Sequence, residues 1–415
     1  MSTCAKCGAC STVCPVFRTS GKESHTARGK LHLLDTLGLE KSSSVFIDIF
    51  SACLLCGACA AVCSRKIDIN KELLAARNSF SSLAGPHAYE KYLARKLLDY
   101  PGSLTGLRIL AKTCGKVLGD KLPRDSGLRL RLAPFEGDAL PVPDDGQHEE
   151  GGAVNINTRA SLVWFPGCSA RYLFPDILDS CKSLFSQSSF VLQYPDGLAC
   201  CGLADCAAGD CASAQKKARR NIEVMGATEG PILVTCASCY AHLKKYPELF
   251  IHDAHWQTRA EEMALRVMEL SEFLENQSVR HSASGTEEEQ KLRVFYHDPC
   301  HLRHETPSVD KAREQLEKTG EMEVIELPDG PRCCGQGGLF YVAHPDISAA
   351  IRDQLVQDVL ALKPDVVTST CSGCLMQWQQ GLVAAGSEIK VLHLAQLLKE
   401  KNGVEFFLYQ FSVIQ

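Results

Sequence analysis

Eight cysteines in the first 63 residues constrain this chain more than any other feature. Cys4, Cys7, Cys10 and Cys14 recur 49 positions later as Cys53, Cys56, Cys59 and Cys63. Both runs read C-x-x-C-x-x-C-x-x-x-C, a spacing at which thiolates hold 4Fe-4S cubanes. Three close thiolates wrap one corner of a cubane, and the fourth cysteine of each run reaches across to the other cluster. On that rule Cys4, Cys7, Cys10 and Cys63 form one set, and Cys53, Cys56, Cys59 and Cys14 the other. A disulfide framework belongs to small secreted chains, and zinc takes four thiolates rather than two interlocked sets of four. The second run carries Ser64 where the first has Pro15, a change in local geometry rather than in ligand supply.

The remaining composition sets the frame. A chain of 415 residues exceeds one hydrophobic core and implies two or three domains. A net charge of -5 argues against a general nucleic-acid binder. Twenty-two cysteines would fit an oxidised secreted protein, yet the start, Met-Ser-Thr-Cys-Ala-Lys, has no basic segment leading into an apolar stretch. Reduced thiols in the cytoplasm are therefore expected. No run approaches the 18 or so apolar residues of a membrane span, so any membrane contact is peripheral, on the inner face of the cell membrane.

Between the cysteine runs, Leu31, Leu33, Leu34 and Leu37 have helical spacing. Arg28 and Lys30 on that helix could raise a cluster's potential, but a solvated helix end is the expected place for both. Helical periodicity continues from Ile67 to Arg131. Residues 87 to 131 hold ten Lys/Arg against four Asp/Glu, either a docking face for an acidic partner or anionic lipid, or a solvated surface. Lys112 and Lys116 lie on that face, and Cys114 reads as a small buried residue.

Residues 133 to 158, rich in Pro, Gly, Asp and Glu, read as a linker. Beyond it, strand-length apolar runs at 161–166, 190–194, 232–235, 293–297, 324–327 and 366–370 alternate with helical stretches, which implies parallel sheets. This half also repeats. Cys168, Cys200, Cys201, Cys236 and Cys239 are followed in the same order by Cys300, Cys333, Cys334, Cys371 and Cys374, offset by 132 to 135 residues. Each falls at or after the end of a strand, where open α/β sheets gather ligands.

Ten repeated cysteines in a reduced chain are metal ligands or redox thiols. Five per copy exceed the tetrahedral preference of zinc and favour a larger cluster, with zinc in one copy as the alternative. Haem is disfavoured because Tyr240 and Leu375, not His, follow the two C-x-x-C pairs. Cys181, Cys206 and Cys211 read as packing residues. His297, His301, His304 and His344 surround the second copy as satisfied loop histidines or, if chemistry occurs there, proton donors. No dinucleotide-binding, phosphate-loop or nucleophile motif is present, so no substrate-oxidising site and no catalytic residue is assigned.

Phe165-Pro-Gly-Cys168, Tyr296-His-Asp-Pro-Cys300 and Cys333-Cys-Gly-Gln-Gly-Gly338 with His344-Pro-Asp346 resemble the CCG-domain family. That family includes heterodisulfide reductase subunits, anaerobic glycerol-3-phosphate dehydrogenase small subunits and the iron-sulfur subunits of glycolate and lactate oxidases. A dicluster ferredoxin followed by two CCG repeats looks most like the glycolate oxidase subunit.

The resemblance implies an α+β multidomain chain. It comprises a mostly helical dicluster ferredoxin-type domain (1–132), a linker (133–158), a first α/β CCG domain (159–278), a second linker (279–291), a second CCG domain (292–402) and an apolar tail (403–415). It further implies two cubanes, one or two non-cubane 4Fe-4S clusters, and an FAD-binding 2-hydroxy-acid dehydrogenase partner from which electrons pass toward quinone or another carrier. Two other members supply alternatives. One is disulfide reduction at non-cubane clusters. The other is a membrane-associated glycerol-3-phosphate dehydrogenase subunit, for which the tail from Val404 to Gln415 is the local support.

Overall fold

The computed structural model describes residues 4–38, 43–81, 83–100, 105–106, 109–111, 113, 160–186, 188, 190–276, 291–306 and 310–401. Its first part is helical: α1 (Ala9–Val13), α2 (Pro15–Ser20), α3 (Ala27–Leu37), α4 (Ser44–Ser51), α5 (Ala58–Ala61), α6 (Ile69–Asn78) and α7 (Ala88–Asp99). Local chemistry starts these helices. Thr26, Ser43 and Asp68 accept from the backbone N–H groups of Gly29, Phe46 and Lys71 and so cap α3, α4 and α6. Pro15 opens α2 directly after Cys14, at the position where its missing N–H matters least. Leu31, Phe46, Phe50 and Leu73 form the core, with the Phe46 and Phe50 rings stacked at 4.7 Å and Phe80 edge-on to both.

Two four-stranded parallel sheets follow, with the same winding. The first contains β1 (Ala160–Phe165), β2 (Phe190–Gln193), β3 (Ile232–Val234) and β4 (Val267–Glu269) in the order β2-β1-β3-β4. The second contains β5 (Leu292–Tyr296), β6 (Met322–Ile325), β7 (Val366–Ser369) and β8 (Lys390–His393) in the order β6-β5-β7-β8. Central strands of this kind are covered on both faces, and β3 accordingly reads Ile-Leu-Val with every residue fully buried. The winding reverses between β1 and β3, and again between β5 and β7. Such a switch point opens a crevice at the carboxyl ends of the strands. Cys168 and Cys236 follow β1 and β3, and Cys300 and Cys371 follow β5 and β7.

Side chains join the units. Arg77 of α6 donates to the carbonyls of Phe50, Ser51 and Cys53 and, across the domain boundary, to that of Ala207. The two repeats meet where Ala237 N donates to Thr370 O and His393 Nε2 donates to Thr235 O, each at 2.9 Å. His344 Nε2 lies 2.7 Å from Ser51 Oγ and ties the second repeat to α4.

Burial pushes His25, His242, His344 and His393 down to about 4. The unfolded chain takes up these protons near pH 6.5, the folded chain only near 4. Stability is therefore full above pH 6.5 and falls as pH drops toward 4, by on the order of 10 kcal/mol across the four. Denaturant midpoints at pH 7.5 and 5 measure this; equal midpoints would contradict it.

Cys114, Lys112, Lys116, the linker 133–158, most of 279–291 and the tail 404–415 lie outside the described residues. Among the described residues no helix is long and apolar enough to cross a membrane.

Candidate metal centres

The two N-terminal loops have the same strained shape. Lys6 and Leu55, 49 positions apart, both adopt φ 54°, and Gly8 and Gly57 follow at 84° and 80°. A left-handed conformation costs a non-glycine residue roughly 1 kcal/mol or more, so it persists where something over-determines it. Here it turns backbone N–H groups toward sulfur: Lys6 N lies 3.5 Å from Cys4 Sγ and Leu55 N 3.4 Å from Cys53 Sγ. Donors to sulfur are one of the means by which a protein raises a cluster's potential.

Two adjoining cavities collect the eight thiols. Cys4, Cys7, Cys10, Cys59 and Cys63 line one; Cys14, Cys53, Cys56 and, again, Cys59 line the other. Neighbouring residues of α3 supply a cation to each. Arg28, paired with Glu23 at 2.7 Å, stands beside Cys4 and Cys10. Lys30 corrects the expectation of a solvated helix end. It is 1% exposed, donates to the carbonyls of His25 and Ala52, and faces Cys14, Cys53 and Cys59. Lys30 lies one turn before Leu34 on the buried side of α3, a spacing that marks its position but not the carbonyls it serves.

Each repeat gathers its own five cysteines. In the first, the Sγ atoms of Cys168 and Cys200 are 3.8 Å apart, and thiol contacts run on from Cys200 to Cys201, Cys201 to Cys239 and Cys239 to Cys236. In the second, contacts run from Cys300 to Cys333, Cys334, Cys374 and Cys371 in the corresponding order. Glycine is needed beside the first set. Gly167 has φ 79°, and a Cβ there would stand 2.9 Å from Cys239 Sγ.

The copies differ in a ligand-type residue at the end of the first strand of each. His297, at the end of β5, has a ring nitrogen within 4.8 Å of both Cys334 and Cys374 sulfurs, whereas Phe165 occupies the equivalent place in the first copy. His301 and His344 have partners in Ser238 and Ser51, and His304 accepts from Arg303.

The donor chemistry fits metal. Burial raises the Cys14 thiol and pushes Cys59 up to about 12, and burial together with the charge of Cys333 raises Cys56. Cys200 and Cys333 are held down by the thiols of Cys168 and Cys300, the same pair in each copy. Crowded, buried sulfurs of this kind ionise together only beside a cation, and metal binding releases their protons. By contrast, Cys181 is raised by burial alone, and Cys206 pairs with Cys211.

The sets are also contiguous, a feature invisible in the sequence. Cys59 faces Cys10, joining the two N-terminal sets. Cys56 faces Cys333 and Cys300. Cys371 contacts Cys236 across the repeat boundary, with Ser238 Oγ 3.3 Å from Cys371 Sγ. Exposed Cys7 stands at one end of this line. At the other end, Cys168 and Cys200 open into a cavity.

Comparison with known proteins agrees with this division. The cysteine-rich domain, CCG, matches residues 162–244 and 294–379, and the 4Fe-4S dicluster domain matches residues 1–67. The chain is similar to a probable glycolate oxidase iron-sulfur subunit of Bacillus subtilis. The two are 26% identical over 421 aligned positions, covering 96% of this chain and 94% of that one. It is also similar to lactate utilization protein A of Halalkalibacterium halodurans, 28% identical over 239 residues (57% of this chain, 96% of the relative). The same protein of Shouchella clausii is 29% identical over 238 residues (57% and 98%).

Proposed function

We propose, from the premise that the chain belongs to the family of iron-sulfur proteins that join a 4Fe-4S dicluster domain to cysteine-rich CCG domains, that it is the electron-carrying subunit of a 2-hydroxy-acid dehydrogenase. The contiguity of the four cysteine sets carries this reading. Clusters in them supply one-electron chemistry, and a protein that carries electrons needs its redox centres close together. The eight N-terminal cysteines would hold two cubanes. Cys168, Cys200, Cys201, Cys236 and Cys239, and Cys300, Cys333, Cys334, Cys371 and Cys374, would hold the further clusters.

The chain's own residues tune and order the sites. Arg28 and Lys30 place positive charge beside the N-terminal sets, and Lys6 and Leu55 direct N–H groups at sulfur. Arg77 holds the Cys53 loop against the first repeat. The name of the Bacillus subtilis relative denotes one subunit of an oxidase, which supports a separate partner. An FAD-bearing subunit there would split the two-electron oxidation of glycolate or lactate into single electrons, delivered onward toward quinone or another carrier. A second reading, zinc in the second repeat, is favoured by one observation: His297, Cys334 and Cys374 offer zinc-type donors at a single point.

The chain, loaded with metal and mixed anaerobically with its flavoprotein partner, is expected to lose visible absorbance when glycolate or lactate is added, and to keep it without the partner. Absorbance unchanged in the complete mixture, with the flavin itself reduced, would overturn the assignment.

A further inference from the structure

The internal repeat makes the cavity at Cys168 and Cys200 informative. In the second copy, the corresponding face of Cys300 and Cys333 turns toward Cys56, and the cavity there, about 310 Å³, is walled by α1 and α2. In the first copy the described residues lining that face come from the repeat itself and from the end of α7 through Tyr100, and the cavity is larger, about 460 Å³. That volume lies in the range of small-molecule sites.

Its lining specifies a kind of ligand. Arg171 projects from the helix after Cys168, as Arg303 does from the helix after Cys300, and its guanidinium lies over the rings of Tyr172 (5.1 Å) and Tyr194 (4.9 Å). Lys216 and Arg220 add positive charge from the helix Cys211–Gly226. Of the acidic groups nearby, Asp99 and Asp205 are both engaged by Lys217, at 2.5 and 2.6 Å, and Asp196 stands near Tyr194. The second copy has Gln354 in the place of Arg220, and its cavity takes Arg18, Arg303 and Arg332 instead, the last paired with Asp329 and Asp358. Tyrosine rings offer flat apolar faces and arginine stacks on conjugated systems, while an excess of cations selects negative charge.

We propose that this cavity binds a small planar conjugated anion, its ring against Tyr172 and Tyr194 and its acidic group on Arg171 and Arg220. The proposal rests on the electron-carrying reading for its purpose, since the ligand would meet the Cys168 end of the cysteine line, but the binding chemistry stands without it.

Equilibrium binding to the oxidised, metal-loaded full chain tests it. Flavin mononucleotide, naphthoquinone sulfonate, riboflavin and inorganic phosphate serve as probes. The two anionic rings are expected to bind, with riboflavin and phosphate weaker by about tenfold or more. Arg171→Gln and Arg220→Gln should each weaken the anionic rings by a similar factor. Arg303→Gln in the second copy should leave them unchanged. Lys216→Gln, at a surface lysine, is expected to weaken them about threefold and guards against a variant that fails to fold. No binding of either anionic ring, binding equal in all variants, or phosphate binding as tightly as flavin mononucleotide would overturn the proposal. The iron content and hydroxy-acid-driven bleaching of the same samples report separately on the electron-carrying reading.

Discussion

Replacing Cys334 by Ser is expected to remove about four of roughly sixteen irons from the anaerobically purified chain, on the rule of four irons per four- or five-cysteine set. Cys334 is 4% exposed, contacts Cys333 and Cys374, and has its sulfur within 4.8 Å of a His297 ring nitrogen. A serine hydroxyl ionises far less readily than a thiol, and no spare described cysteine stands near this set to replace it. Cys181, Cys206 and Cys211, the described cysteines outside the sets, all belong to the first repeat. Cys201→Ser should have the matching effect in the first repeat, and Cys206→Ser should leave iron unchanged. Metal analysis of the three variants decides. Zinc lost from Cys334→Ser, with no loss of iron, would put zinc in the second repeat.

Arg77→Ala should lower the melting temperature by about 10 °C, at roughly 2–4 °C per kcal/mol. Its guanidinium is buried and donates to four carbonyls, two at the end of α4, one at Cys53 and one on the first repeat. Hydrogen bonds from a charged group are worth about 1.5–3 kcal/mol each but are not additive, and truncation leaves four acceptors without a donor, so about 3–5 kcal/mol is expected in total. Lys cannot span the same fork and should recover only part of this. Differential scanning of the three proteins gives the answer. A melting temperature within about 2 °C of the parent for Arg77→Ala would show that the joint does not depend on this side chain.

Much of this architecture was legible because covalent spacing and periodicity are local. The cysteine runs, the repeat and six of the eight strands follow from residue order. β4 and β8 did not, since Val267–Glu269 and Lys390–His393 are short and run directly into helices. A three- or four-residue strand has too few alternations to register against a helical pattern. The roles of Lys30 and Arg77 were also hidden. A charged residue reads as solvated until the fold supplies the buried carbonyls it serves, and those come from Ala52 and Ala207, far along the chain. His297 stood in view, but its distance to Cys334 and Cys374 depends on three separate strand ends meeting. The contact of Cys56 with Cys333 needs two domains to dock, which no local pattern encodes.

Iron, acid-labile sulfide and zinc in the unmodified, anaerobically purified chain test the central claim most directly. Four occupied cysteine sets predict roughly sixteen irons with equal sulfide and no zinc. About eight irons with zinc present would confine the redox centres to the N-terminal domain and contradict an electron path through both repeats.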